Sequence, residues 1–184
     1  DSGVKVFSVT LKTSPSLPTW LKCTDKADGA IATGNDVIPA VNPGVIDKFD
    51  VVGLPDSQIA GEVRSVTVRA RDAFGATGVG NIKTDYNGTI SLYSDDTNAN
   101  YPPAYTFSVA QDSGVHIFTS TVTLKTSSMS GWLFQVTGNG KTGQKTGIRV
   151  YPAPLETFTG TMNSNITAGS GAYSITVDAK DPYN

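Results

Sequence analysis

The chain has 184 residues, with 14 lysines and arginines against 16 aspartates and glutamates and a formal net charge of −2. That balance, with no basic run anywhere, excludes an electrostatic nucleic-acid footprint. A single cysteine (Cys23) and a single histidine (His116) exclude an internal disulfide and a protein-only zinc site.

In chain order, the first feature is self-similarity. Asp1-Ser2-Gly3-Val4 returns as Asp112-Ser113-Gly114-Val115. Ser8-Val9-Thr10-Leu11-Lys12-Thr13-Ser14 returns as Thr121-Val122-Thr123-Leu124-Lys125-Thr126-Ser127. Further on, Ser65-Val66-Thr67-Val68-Arg69-Ala70-Arg71-Asp72 returns as Ser174-Ile175-Thr176-Val177-Asp178-Ala179-Lys180-Asp181. The offsets are 111, 113 and 109 residues, the length of one small β domain. Residues 1–43 therefore read as the end of a first unit, 44–152 as a complete unit, and 153–184 as the start of a third. Pro39–Gly44 and Tyr151–Pro154 fall at the joins, because proline cannot serve the middle of a ladder. The partial units either continue into further sequence or pair head to tail between molecules, and continuation is the expected case.

Inside the complete unit seven strands are expected: A over 46–54, B over 62–71, C over 88–93, D over 105–109, E over 115–125, F over 132–137 and G over 146–151. Strand B has the clearest period of two. Val66, Val68 and Ala70 point one way, and Ser65, Thr67, Arg69 and Arg71 the other. In strand E, one residue separates Phe7 from Val9, but three separate Phe118 from Val122. The added pair keeps parity, so the apolar residues stay on one face. No helix is expected, and the strand count predicts an all-β, two-sheet sandwich.

Two stretches carry a family likeness. Phe49-Asp50-Val51-Val52-Gly53-Leu54-Pro55, Ala60-Gly61, Ser65-Val66-Thr67-Val68 and Asp72-Ala73-Phe74-Gly75 resemble the opening half of bacterial and archaeal Ig-like (Big-type) repeats. Tyr105-Thr106-Phe107, Asp112-Ser113-Gly114-Val115-His116-Ile117-Phe118 and Val122-Thr123-Leu124-Lys125-Thr126 resemble the closing half. The resemblance implies an immunoglobulin-like sandwich at a cell surface or outside the cell, as in adhesins, S-layer proteins and multidomain secreted enzymes. It implies no catalytic residue and no obligate cofactor. In physical terms, Asp72 can bond local amides at the end of strand B, and Gly75 relieves a backbone needing positive φ.

Candidate sites are few. His116 lies where the other unit has Lys5, which predicts a solvated side chain and argues against a catalytic triad. Cys23 aligns with Val136 once one gap is allowed, which predicts a small apolar slot. Trp20 and Trp132 recur and read as packing residues. Asp95 and Asp96 are the candidate calcium ligands, because calcium takes about six to eight oxygens and their loop is rich in Asp and Asn. Tyr101 and Tyr105 are a candidate aromatic platform for a cell-surface glycan. Asn87 and Asn165 head glycosylation sequons.

These residues point to a non-catalytic spacer, stalk or S-layer-type lattice segment, whose first partners are its own neighbouring units. An adhesin or carbohydrate-binding module is the second reading, and an accessory domain of a secreted multidomain enzyme the third. No apolar run is long enough to cross a membrane as a helix.

Overall fold

A computed structural model describes residues 4–14, 19–23, 34–38, 40–75, 78–162, 165, 167–169 and 171–183. Of the strands β1 (Thr19–Cys23) and β2 (Gly34–Ile38), the description covers the backbone and the Leu21 side chain. The side chains of Trp20 and Cys23 therefore lie outside the described part. The remaining elements are β3 (Ile46–Val52), β4 (Ser57–Ile59), β5 (Val63–Asp72), β6 (Thr89–Ser94), β7 (Tyr105–Thr106), α1 (Val109–Asp112), β8 (Val115–Thr123), β9 (Ser128–Gly138), β10 (Lys141–Tyr151), β11 (Thr157–Thr161) and β12 (Thr176–Lys180).

Eight of these strands build an immunoglobulin-like sandwich. One sheet runs β3-β5-β8 and the other β4-β10-β9-β6-β7. Strand β5 shows how sequence dictates packing. Val66, Val68 and Ala70 are fully buried between the sheets, while Ser65 is exposed and Thr67 and Arg69 are half-buried on the opposite face. Across the interior they face Phe134, Val136, Ile148 and Val150, all without exposed surface. Phe49, Tyr86 and Phe107 fill one end in successive edge-on contacts, with ring centroids 5.5 and 5.1 Å apart.

Strand β8 keeps its parity through a bulge. Phe118 pairs with Val66 and Val122 with Arg64, so the extra residues swell out between them. Ser120 takes φ 51° there, and its amide donates to Ser65 Oγ at 2.9 Å. Phe118, Val122 and Leu124 all remain buried. The bulge also interrupts the free edge of β8, which discourages edge-to-edge pairing.

The structure departs from expectation in four places, the first being the short strand β4, which pairs in parallel with β10 and adds to the seven strands expected. Strands F and G are much longer than 132–137 and 146–151, because β9 and β10 form one hairpin closed at Asn139-Gly140. Both turn residues have positive φ, 49° and 69°, the geometry of a tight two-residue turn. The expected strand D shrinks to the two residues of β7, which pairs with β6. After it comes the one-turn helix α1, where no helix was expected. Asp112 closes that turn by accepting the Ser108 amide at 2.6 Å, and Ser113 and Gly114 then reverse the chain with positive φ.

Strands β1 and β2 form one separate hairpin, and β11 and β12 another. In β11–β12 every pair has a counterpart 109 residues earlier: Phe158↔Ala179 matches Phe49↔Ala70, and Gly160↔Val177 matches Val51↔Val68. Phe158 is 64% exposed where Phe49 is 3% exposed, because no second sheet covers it among the described residues.

Candidate functional site at the joints

The densest polar constellation lies where the sandwich meets the segments before and after it. Asp72 ends β5 and is only 1% exposed. Its Oδ2 accepts the Gly44 amide at 2.8 Å, and its Oδ1 accepts the Phe74 and Asn81 amides at 2.9 and 2.7 Å. The Asn81 side-chain amide also donates to Oδ2, at 2.9 Å. Burial alone would raise the Asp72 carboxyl, but these donors outweigh it and hold the group below the ordinary aspartate range.

Asn81 carries the connection onward. Its Oδ1 accepts the Ser14 amide at 3.1 Å, and its Nδ2 donates to the Lys12 carbonyl at 3.1 Å. The Gly75 amide donates to the same Lys12 carbonyl at 2.9 Å. Ser14 Oγ donates to the Val41 carbonyl at 2.6 Å. The segment before the sandwich, the 40–44 connection and the β5 turn are thus tied through one carboxylate and one carboxamide.

The second joint repeats the pattern. Asp181 Oδ2 accepts the Ala153 amide at 2.8 Å, and Oδ1 accepts the Tyr183 amide at 3.0 Å. Asp181, Ala153 and Tyr183 stand 109 residues after Asp72, Gly44 and Phe74. Tyr183 packs on the sandwich core. Its ring lies over Gly61, where an added Cβ would fall 2.1 Å from the phenol oxygen. Gly61 has φ 83°, so the turn needs glycine for its backbone as well as for the ring. An open groove lies beside each joint. The first is about 470 Å³ and borders Ser14 and Asn81. The second is about 270 Å³ and borders Ser127 and Asp181.

The expected site residues distribute as follows. Asp96 is buried and points inwards. Its Oδ2 accepts the Lys125 and Thr126 amides at 2.7 and 3.1 Å, and its Oδ1 accepts the Asn98 amide at 3.1 Å. Burial works against the charge, but bonds from Thr126, Lys125 and Asn98 keep this carboxyl low as well. Asp95 Oδ1 accepts the Leu133 amide at 2.7 Å. The pair pins the turn after β6 to the connection between β8 and β9 and to β9 itself. Among the described residues, no cluster of three or more His, Cys, Asp or Glu side chains could hold a metal ion.

Tyr101 and Tyr105 do not form one exposed platform. Tyr101 is 37% exposed and meets Phe134 edge-on at 6.3 Å. Tyr105 turns inward and stacks on His116 with centroids 3.8 Å apart. Its hydroxyl donates to Asp112 at 3.1–3.2 Å. Burial, then the Asp112 contact, raises the Tyr105 phenol above its ordinary range. His116 is not the solvated side chain that its Lys5 counterpart predicts. Its Nδ1 lies 2.7 Å from Asp112 Oδ1, and its ring sits against Tyr105, Phe107 and Phe118. Burial would raise the Asp112 carboxyl, yet the Ser108 amide, His116 and Tyr105 lower it below the ordinary range. Trp132 packs against the core as expected, and its indole N–H donates to the Thr126 carbonyl at 2.6 Å. Asn87 and Asn165 are both exposed.

Asn81 is the joint residue that sequence reasoning missed. Nothing near it in sequence marks it, because its partners are Asp72, nine residues earlier, and a segment nearly seventy residues away. The turn Asp72-Ala73-Phe74-Gly75 was the available signal.

No family model matches this chain, and no curated protein matches it. Among solved structures it is similar to domains 4–9 of the surface layer protein SbsC, with a TM-score of 0.41 and 16% identity, covering 82% of this chain and 22% of that one. It is also similar to the Escherichia coli adhesin FdeC, with a TM-score of 0.40 and 18% identity, covering 90% of this chain and 51% of that one. The chain thus spans about a fifth of the first and about half of the second.

Proposed function

We propose that this chain is a non-catalytic, load-bearing spacer of a secreted or cell-surface protein, built from Ig-like units joined at fixed angles. The observation that carries the reading is the Asp72–Asn81 relay to Lys12 and Ser14. A flexible linker would leave these amides and carbonyls to water. Here the Asn81 carboxamide, held by a buried carboxylate, and the Gly75 amide take them up, so bending the joint means breaking the three bonds to Lys12 and Ser14 at once. The recurrence of the carboxylate clamp at Asp181 supports a tandem array, in which each unit fastens back onto the one before it. The interior supports the same reading. Among the described residues the largest fully buried side chains are apolar apart from Asp72 and Asp96, and each of those carboxylates accepts backbone amides.

Small-angle scattering tests the reading. The parent chain is expected to give one extended particle of fixed maximum dimension. Asn81→Ala is expected to give a broader, more averaged distance distribution with the sandwich still folded. Identical profiles for the two proteins would remove the joint from the explanation.

A further inference from the structure

The hairpin β11–β12 and residues 4–11 each repeat one half of a pairing that the sandwich already contains. The hairpin repeats β3–β5, pair for pair. Residues 4–11 repeat β8 and its continuation: Val4, Phe7, Val9 and Leu11 correspond to Val115, Phe118, Val122 and Leu124. In the sandwich β8 lies along β5, with Phe118 opposite Val66, Ile117 opposite Thr67 and His116 opposite Val68. The two copies lack that match. Among the described residues, β12 pairs with β11 alone and residues 4–11 belong to no strand. Phe7, Phe158, Ile175 and Val177 are 61–75% exposed, whereas their counterparts Phe118, Phe49, Val66 and Val68 are at most 5% exposed. Open apolar surface of this kind marks an interaction site.

The two parts do not meet within one chain. Lys12 is fastened to Gly75 and Asn81 beyond the end of β5, while Tyr183 covers Gly61 before its start. The ten residues of β5, about 33 Å of strand, lie between. We propose that residues 4–11 of one copy add as a strand to the free edge of β12 in a second copy. The register of the sandwich, carried over, sets Phe7 opposite Ile175, Val6 opposite Thr176 and Lys5 opposite Val177. Phe7 then joins Ile175, Val177 and Phe158 on one face, as Phe118 joins Val66, Val68 and Phe49 in the sandwich. Main-chain bonds along the edge supply affinity, and the apolar parity supplies the choice of partner. Residues 4–11 lack the extra pair that swells β8 between Phe118 and Val122, so this ladder runs on without a bulge. The contact joins opposite ends of two copies. It is therefore head to tail, and each growing particle keeps one open strand and one open hairpin.

The pairing uses no residue of either carboxylate clamp and does not need the joints to be rigid. Phe7→Asp gives a single particle in which the joint is measured by itself, so failure of the spacer reading and failure of the pairing are told apart. The test is sedimentation velocity of the whole 184-residue chain from dilute to concentrated solution. The mass is expected to climb with concentration past the dimer. Phe7→Asp and Val177→Asp should each stay single, with an unchanged thermal midpoint, because both side chains are exposed outside the sandwich. Mixed together, the two variants should give a one-to-one dimer and nothing larger, since Phe7→Asp keeps its hairpin and Val177→Asp keeps its strand. Four results would overturn the proposal: a parent that stays single throughout, growth that halts at a closed dimer, growth that both variants share, or a mixture that stays single.

Discussion

Asp72 and Asn81 act in series. The carboxylate holds Asn81 through both its backbone and its side-chain amide, at 2.7 and 2.9 Å, and the carboxamide so fixed holds Lys12 and Ser14. The two residues therefore have separable roles. Asp72 also binds Gly44 and Phe74 and belongs to the sandwich, whereas Asn81 faces the preceding segment.

Asp72→Ala leaves the Gly44, Phe74 and Asn81 amides without their acceptor. It is expected to lower the unfolding free energy by about 3 kcal/mol, measured by urea denaturation. Asn81→Ala is expected to cost about 1 kcal/mol, since most of what it loses is contact between segments. Equal losses would show that the residues do not divide the work in this way.

The pH response follows from three carboxyls. Asp72, Asp96 and Asp112 are all held below the ordinary aspartate value by hydrogen bonds that outweigh burial. A lowered folded-state value means that the unfolded chain takes up protons first. Their contribution is fully present above the unfolded-state value of about 4, and it is lost as pH falls through the folded-state values. The urea midpoint should be flat around neutrality and drop on acidification. Asp72→Asn should shallow that drop. A parent midpoint that does not move in acid would contradict the assignment.

Gln58 is 4% exposed on β4, and neither its carboxamide oxygen nor its nitrogen has a partner among the described residues. Gln58→Met keeps the length and removes the buried polar atoms. It is expected to raise stability by about 1–3 kcal/mol, read from the thermal or urea midpoint. A loss of stability would mean that the amide is satisfied in solution by ordered water.

Both Asp96 oxygens face N–H donors, and Asp95 Oδ1 does the same. A cation seated there would meet the positive ends of those amides. Titrating the chain with calcium should give no binding heat and no shift in thermal midpoint. Saturable heat lost in Asp96→Asn would place calcium at this turn after all.

The sandwich was legible where side-chain parity alone decides it. Val66, Val68 and Ala70 could be assigned to the interior, and the paired insertion between Phe118 and Val122 could be read as parity-preserving, because period two leaves no alternative. The β9–β10 hairpin outruns the expected strands although Asn139-Gly140 signals its turn, because Gly138 and Gly143 interrupt the alternation on either side. Gly143 is needed there: an added Cβ would come within 2.1 Å of the Phe49 carbonyl. Helix α1 is a single turn set by Asp112 and Ser108, too short to show a period. Taken singly, Tyr105 and His116 point outward in the sequence; their stacking on one another, with the Asp112 carboxylate bonded to both, is a tertiary fact. The joint was half legible. Asp72 could be seen as a turn former, but its reach to Gly44 and, through Asn81, to Lys12 depends on segments brought together by folding.

The central claim is that the joint before the sandwich is fixed by the Asp72–Asn81 relay, and a distance measurement across it tests this most directly. With spin labels at the exposed positions Thr10 and Thr119, pulsed electron spin resonance on the parent chain should give one narrow distance distribution, and Asn81→Ala should broaden it while the thermal midpoint barely moves. A distribution equally broad in both proteins would contradict the account.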